Sequence, residues 1–317
     1  MTTPNNKNGK MYKAVVIGGA GFIGSHVVDE LLRNNFHVIV TDNLTSESAN
    51  NLKHLRGDKR MEYVQGNIID LPLIQRLFSN IDYVFHLAAV PYSVDDRLNP
   101  ISYYESNSRG ILNVLQAAKD NNVKKVILAS SSAVYGSEPT LPKKETMLPD
   151  PASPYAITKL TAEMYCLIFQ RIYNLQTICL RYFNVYGPRQ SANSQLASVI
   201  PRFIQRISEG KSPVIFGDGN QTRDFVFVSD VATANLLAAK SDATGIFNIG
   251  SGQSISLNQV AGIILKIMNR LDLNPVYENE RFGEIKHSVA DISKAETLGY
   301  KSRYTLEEGL NRTINIS

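Results

Sequence analysis

A short apolar run, Val15-Val16-Ile17, gives way to Gly18-Gly19-Ala20-Gly21-Phe22-Ile23-Gly24 and then to a helix-like pattern. Glycines 18, 21 and 24 stand three residues apart, and Gly19, Gly21 and Gly24 also satisfy G-x-G-x-x-G. Such a turn lets the backbone reverse tightly and approach a diphosphate, while the helix that follows offers free N–H groups and positive potential. A lone match carries little weight. Here it lies between a strand and a helix, and Asp42 closes the next apolar run, 18 residues after Gly24. A carboxylate at that place accepts hydrogen bonds from adenosine ribose hydroxyls and repels a 2′-phosphate, which favours NAD over NADP. The bland alternative is a structural glycine turn with Asp42 as a strand cap.

Alternation continues beyond the turn. Residues 14–17, 38–41, 83–86 and 126–129 read as buried parallel strands, rich in Val and Ile. Between them, residues 23–34, 71–78 and 111–119 have helical periodicity. Ser153-Pro154 opens a long helix towards Tyr173, and a strand over 177–181 follows. From about Tyr186 the character changes: Gly187-Pro188 breaks the chain, 198–208 reads as a helix and 213–219 as a strand ending in a turn. Residues 226–240 and 246–248 look like a return to the sheet, and 256–269 like another helix. The pattern predicts an α/β fold, a Rossmann-type doubly wound parallel sheet with a smaller, discontinuous C-terminal substrate domain. The expected division is 11–185 for the nucleotide domain, with returns near 224–250, and 186–317 for most of the second.

Composition narrows the partners. With 43% apolar and 20% charged residues the chain is ordinary for a globular protein, and a net charge of +4 is small for 317 residues. Nucleic acid is not expected, because no Lys/Arg stripe interleaves with aromatics. Lys124-Lys125 and Lys143-Lys144 read as solvated surface. Cys166 and Cys179 have neither metal-site nor disulfide-framework spacing and sit in apolar stretches, so buried inert thiols in a reducing compartment are expected, and no metal. Residues 1–10 are polar and Asn-rich, read as a loose tail rather than a signal peptide. No apolar run approaches the roughly 18–20 residues of a membrane span, so no membrane partner is expected and a cytoplasmic protein is.

Tyr155 and Lys159 stand at i and i+4, on one face of a helix. Alone the pair means little, since a half-buried aromatic beside a snorkelling lysine is common. Ser130-Ser131-Ser132 changes the balance, because it ends a strand, and strand C-terminal ends line the ligand crevice of a doubly wound sheet. Together these residues resemble the catalytic set of the extended short-chain dehydrogenase/reductase family. The resemblance implies that Tyr155 is the acid/base, Lys159 holds the nicotinamide ribose, Ser131 bonds the reacting oxygen, and Ser132 lies close by. A tyrosine pKa of about 10 must fall by about 3 to serve near neutrality, which takes about 4 kcal/mol of preferential stabilisation of the phenolate. Lys159 and the nicotinamide cation are the natural sources.

The resemblance runs from Lys13 to about Gly309 and is most specific to nucleotide-sugar 4-epimerases. It rests on His86-Leu87-Ala88-Ala89, Ser130 to Gly136, Leu180 to Pro188, Gly217 to Phe225, and Ala290-Asp291-Ile292-Ser293-Lys294-Ala295. In such enzymes the tyrosine takes the 4-hydroxyl proton while hydride passes to bound NAD, the keto sugar turns over, and hydride returns to its other face. Carried over by position, Gly18, Gly21, Phe22, Ile23 and Gly24 meet the diphosphate, and Asp42, Asn43 and Leu44 the adenosine. Asn67-Ile68 replaces the family's usual Asp-Ile at the adenine, a departure that keeps hydrogen-bonding capacity. Leu87, Ala88, Ala89, Asn107, Ser130 and Tyr182 complete the cofactor side.

On the substrate side the resemblance implies that Asn184, Arg223 and Arg281 meet the UDP phosphates, a task that suits the permanently charged guanidinium fork. Each arginine taken singly could instead be a surface ion pair. Glu284 would accept from the uridine ribose and Phe216 would lie near the uracil. Family dehydratases and decarboxylases carry an acid after the serine/threonine, and this chain has Ser131-Ser132-Ala133. Ser288 stands at the gate beside the sugar's 2-substituent, where glucose-restricted members have tyrosine, so an N-acetyl group fits and smaller sugars are not rejected. His287 could contact the sugar, although a lone histidine is more often structural. The expectation is a UDP-N-acetylglucosamine/UDP-N-acetylgalactosamine 4-epimerase also accepting UDP-glucose/UDP-galactose. The alternatives are a UDP-glucuronate epimerase, decarboxylase, dehydratase or reductase, or a non-catalytic NAD sensor. The resemblance also implies a homodimer through the helices around 111–119 and 153–173, with Leu112, Leu115, Met164, Leu167 and Ile168 serving core and partner.

Overall fold

In a computed structural model of the chain, residues 11–43, 50–90, 100–192, 198–280 and 285–315 are described. The first six strands are β1 (Tyr12–Ile17), β2 (Phe36–Asp42), β3 (Met61–Gln65), β4 (Tyr83–His86), β5 (Lys125–Ser131) and β6 (Gln176–Tyr182). Further strands are β7 (Asn184–Tyr186), β8 (Val214–Phe216), β9 (Thr222–Arg223), β10 (Phe225–Phe227), β11 (Gly245–Ile249), β12 (Ile255–Ser256) and β13 (Val276–Glu278). Seven of them form one parallel sheet in the order β11-β6-β5-β4-β1-β2-β3. The apolar runs are continuous rather than alternating because helices cover both faces: Ala14, Val15 and Val16 have no exposure.

On one face lie α1 (Phe22–Arg33) and α7 (Val228–Lys240), sealing Val16, Val38, Val40, Ile127 and Leu180 beneath Val27, Leu31 and Val231. The other face carries α2 (Leu71–Leu77), α4 (Gly110–Asp120) and α5 (Pro154–Tyr173), which bury Val15, Val84, Val126 and Leu128. A short α3 (Pro100–Tyr103) runs into a π-helical turn, Tyr104–Arg109, before α4. α5 begins as its sequence predicts: Pro154 sits in its first turn and the Ser153 hydroxyl accepts from the Ala156 N–H at 3.1 Å. The remaining helices, α6 (Val199–Ser208), α8 (Leu257–Ile267), α9 (Ser293–Glu296) and α10 (Leu306–Ile314), belong to the C-terminal half. Phe203, Ile207, Val260, Ile264 and Leu310 from α6, α8 and α10 close a second core around the short strands.

Three expectations need correction. Residues 226–240 do not return to the sheet as strand. Beyond β10, which pairs with β7, they form alanine-rich α7, and the return is made by β11 beside β6. Lys125 is buried, its ammonium donating to the Ala238 and Ala243 carbonyls at 3.2 and 3.1 Å and to that of Ser241, so it caps the end of α7. Lys143 is buried too, bonding the Glu138 carbonyl and carboxylate. Lys124 and Lys144 are the solvated members of their pairs.

Candidate active site

The parallel sheet directs seven strand ends to one edge, and the order reverses between β1 and β4, where a crevice opens. β1 runs into Gly18, whose φ of +77° suits glycine and whose added Cβ would stand 2.6 Å from the Ala88 nitrogen. An added Cβ at Gly24 would stand 2.0 Å from the Gly18 carbonyl, so α1 can press on the loop only without a side chain there. Gly21 differs: its φ is −68°, and an added Cβ would meet only the Gly18 oxygen, at 3.2 Å. Protein packing alone places little demand on that glycine, whereas a diphosphate approaching the loop does. α1 starts at Phe22 with no side-chain cap and no acidic residue in its first turn, which leaves its positive end for an anion. The residues fit a dinucleotide.

Asp42, the last residue of β2, accepts the Ala20 N–H at 3.1 Å through one carboxylate oxygen, and Asn51 donates to the Ala20 carbonyl at 2.9 Å. The carboxylate is thereby fixed against the glycine loop. Asn43 follows it in exposed backbone, whereas Leu44 lies outside the described residues. Asn67, exposed after β3, closes an Asx turn by accepting the Ile69 N–H at 3.2 Å. Ile68 is buried against Gly110, where an added Cβ would stand 2.2 Å away. The Leu87 and Ala88 N–H groups both donate to Ile17, holding Leu87, Ala88 and Ala89 half-buried over β1. Asn107, inside the π-helical turn, uses its whole amide on protein: it accepts from Val90 N–H and donates to the Val90 carbonyl and to Thr158. Its side chain ties the loop after β4 to α5, so it braces the crevice rather than offering a free amide to a ligand.

Ser131 ends β5 half-buried, its hydroxyl accepting the Ala133 N–H at 3.1 Å, with Ser132 next along the turn. Lys159 is buried on α5; its ammonium donates to the Ala129 carbonyl at 2.8 Å and stands 5.7 Å from the centre of the Tyr155 ring. Burial lowers the Lys159 pKa to about 8, with Glu163 acting in the opposite sense. Lys159 thus bonds the strand two residues before Ser131, with the Tyr155 ring beside it, where the end of β5 meets the first turns of α5.

Two residues expected at the cofactor are turned elsewhere. The Ser130 hydroxyl donates to Glu163 at 2.5 Å, in the core. The Tyr182 hydroxyl exchanges hydrogen bonds with Asn235 on α7, and burial raises its pKa. Strand alternation explains Ser130, which points to the sheet face opposite Ser131, whereas Tyr182 shares the face of its register partner Ser131 and is drawn instead to Asn235 on α7. The Phe22 ring likewise packs into the second core, edge-on to His26, while Ile23 touches both cores. Only their backbone N–H groups, at the start of α1, are placed for a diphosphate.

Across the crevice, β7, β9 and the 285–291 segment are stitched together. Asn184 is exposed, its N–H donating to the Asp224 carbonyl, and the Ser288 N–H donates to the Thr222 carbonyl. Arg223 donates to the Thr222 and Lys286 carbonyls at 2.9 and 3.2 Å. His287 bonds the Thr222 hydroxyl at 3.0 Å, so its ring is held by the scaffold. Gln221 donates to the Phe216 carbonyl at 2.6 Å, beside a cavity of about 260 Å³ lined by Gly217, Asp218, Asn220, Glu280, Lys286 and His287. Arg281 and Glu284 lie outside the described residues. Asp224, which the sequence did not single out, organises this side: its buried carboxylate accepts from Ser251 (N–H and hydroxyl), Gly252 and Ala290. Burial raises its pKa and those bonds oppose the rise. Its chain neighbours, Arg223 and Phe225, carry no cue to this role, since the partners lie 27 to 66 residues away. Among the described residues no cluster of His, Cys, Asp and Glu is placed to hold a metal, and no helix is long and apolar enough to cross a membrane.

A glycine-rich loop at the point where a doubly wound parallel sheet reverses its strand order defines a dinucleotide-binding α/β protein. The chain belongs to the NAD dependent epimerase/dehydratase family, whose model matches residues 14–250, and its cofactor is NAD. It is 42% identical to a UDP-N-acetylglucosamine 4-epimerase of Methanobrevibacter ruminantium, solved in complex with UDP-N-acetylmuramic acid. The TM-score is 0.91, over 96% of this chain and 98% of that one. A Thermotoga maritima UDP-glucose 4-epimerase solved with UDP-glucose is 39% identical, with a TM-score of 0.90 over 96% of this chain and 97% of that one. The UDP-glucose 4-epimerase of Mycolicibacterium smegmatis is 36% identical over 95% of this chain and 97% of its own length.

Proposed function

We propose that the chain is a UDP-N-acetylglucosamine/UDP-N-acetylgalactosamine 4-epimerase that also turns over UDP-glucose and UDP-galactose, by transient oxidation at carbon 4. The observation that carries the reading is the buried Lys159 ammonium 5.7 Å from the Tyr155 ring, one strand end from Ser131. Bound NAD supplies a reversible two-electron oxidation at that carbon. Tyr155 as phenolate accepts the 4-hydroxyl proton and returns it to the keto oxygen after the sugar has turned over. Lys159 favours the phenolate by its charge and seats the nicotinamide ribose, and Ser131 donates to the reacting oxygen. The glycine loop with the Phe22 and Ile23 N–H groups holds the diphosphate, and Asp42 with Asn43 the adenosine. Asn67, Ile68 and Leu87 to Ala89 line the rest. Ser132-Ala133 supplies no carboxylic acid, so the keto sugar is not dehydrated.

Arg223 with Arg281 and Asn184 bind the UDP phosphates, Glu284 the uridine ribose, and Phe216 faces the uracil. Ser288 is the gate at the 2-substituent. The short serine side chain supports an acetamido sugar, as does likeness to a relative solved in complex with one. Residues 11–185, with the return near 224–250, serve NAD, and most of 186–317 serves the UDP-sugar. The protein is read as cytoplasmic and homodimeric.

Incubation of purified protein with UDP-N-acetylglucosamine, without added cofactor, should give UDP-N-acetylgalactosamine by proton NMR. Tyr155→Phe should slow it by about 10²–10⁴-fold. Loss of water from the product, no conversion at all, or a fully active Tyr155→Phe each defeats the reading.

A further inference from the structure

The proposed chemistry leaves one pair of buried charges unused. Glu163 lies one helical turn beyond Lys159 on α5 with no exposure, and Arg181 on β6 is equally enclosed. Arg181 donates to the two carboxylate oxygens at 2.9 and 2.7 Å, Ser130 donates to one of them at 2.5 Å, and the guanidinium lies over the Tyr135 ring at 4.7 Å. The carboxylate, carried on α5, is therefore clamped from β5 and β6. Such a pair is a poor source of stability, because desolvating two ions costs several kcal/mol each and apolar side chains of similar volume often serve as well. Its placement beside Lys159 gives it another use.

The Lys159 ammonium is desolvated and hydrogen-bonded to a neutral carbonyl, so burial works against its charge. Around it and Glu163 stand Arg181 and Cys179 on β6, Cys166 on α5, Tyr135 after β5 and His86 on β4. The Cys166 hydrogen bond and burial keep the Cys179 thiol neutral, and burial together with Lys159 keeps His86 neutral. Glu163 is the group whose charge favours the ammonium. We propose that Glu163 is a positioning residue, the clamped counter-charge that keeps Lys159 protonated and seated beneath the Tyr155 ring. The inference rests on Lys159 serving Tyr155 as described above.

Glu163→Gln alone strands Arg181 without its counter-ion and can unfold the chain. The deciding variant is therefore Glu163→Met/Arg181→Met, an exchange of the kind that leaves stability unchanged or improved. On holoenzyme the alkaline limb of the kcat–pH profile should move at least one pH unit towards acid, about a tenfold loss of rate above that limb, with KM unchanged. Lysine ε-carbon NMR, with the Lys159 signal assigned by its loss in Lys159→Met, should show the same displacement of the Lys159 titration. A purely structural pair would lower rates at every pH and leave both titrations in place, and that result overturns the proposal. If the unaltered enzyme isomerises no UDP-sugar, the functional reading fails, and the NMR titration alone decides the role of Glu163.

Discussion

Ser288 is held by its own backbone: its N–H donates to Thr222, beside Arg223, so a side chain at this position is carried on a fixed strand-like segment. A serine leaves volume that a tyrosine would fill, and substrates that differ by an acetamido group should feel the difference first. Ser288→Tyr should reduce kcat/KM for UDP-N-acetylglucosamine by about 10–200-fold, the usual worth of a steric contact of this kind. Turnover of UDP-glucose should change little. Parallel loss on both sugars, in competing-substrate assays, means that Ser288 is not the gate. The residues nearest the chemistry were legible for a simple reason. Gly18 to Gly24, and Tyr155 with Lys159, are defined by spacing along a few turns of chain. The directions of the Ser130 and Tyr182 side chains were not legible, because the first depends on which face of β5 meets the crevice and the second on Asn235, 53 residues away.

α1 links the crevice to the second half of the chain. Its first turn faces the glycine loop, while His26 bonds the Pro188 carbonyl at 3.0 Å and Asp29 bonds both Arg189 and His54 at 2.7 Å. Burial lowers the His26 pKa to about 4, against the Pro188 hydrogen bond, and Arg189 adds to the fall. Burial and the Lys159 charge lower that of His86, at the end of β4, to about 3. Both lie below the unfolded value near 6.5, so the unfolded chain takes up these protons first. Their contribution to stability is complete above pH 6.5 and is lost as pH falls through about 4 and about 3. At pH 5 each histidine should already have cost about 2 kcal/mol relative to pH 7.5. Urea midpoints at the two pH values measure the sum. His26→Gln should shrink the difference between them by about 2 kcal/mol, whereas an unaltered difference would show that His26 is not buried neutral. The alternation of strands and helices was readable because it is periodic. β3, α7 and the π-helical turn before α4 were not, since each is shaped by what it packs against. Lys125 and Lys143 show the same limit: the carbonyls that receive Lys125 lie 113 to 118 residues away, so its sequence neighbourhood resembles solvent-facing surface.

The helix that carries Tyr155 and Lys159 at one end also shows an apolar flank to the outside. Ile157, Met164, Ile168, Ile172 and Tyr173 are between 38% and 62% exposed, and Leu160, Leu167 and Arg171 help line a groove of about 620 Å³ beside them. Positions 157, 164, 168 and 172 recur at helical spacing, so they form one stripe, more apolar surface than a solvent-facing helix ordinarily presents. Of the residues expected to serve core and partner alike, Leu115 on α4 is fully buried in the core and Leu112 packs partly against it. Of the two helices, α5 is therefore the one with an apolar stripe left to meet the proposed partner. The proposed homodimer should therefore sediment at twice 35.2 kDa. Met164→Lys/Ile168→Glu, both on the exposed stripe and off the core, should leave the fold intact by circular dichroism and shift the mass to that of one chain. Because α5 also carries Tyr155 and Lys159, the monomeric variant should lose activity in step with dissociation, and dilution of the unaltered enzyme through its dimer constant should reproduce that loss. An unaltered chain that sediments as a single subunit at micromolar concentration would falsify the assembly, and it would leave this stripe open to a different partner.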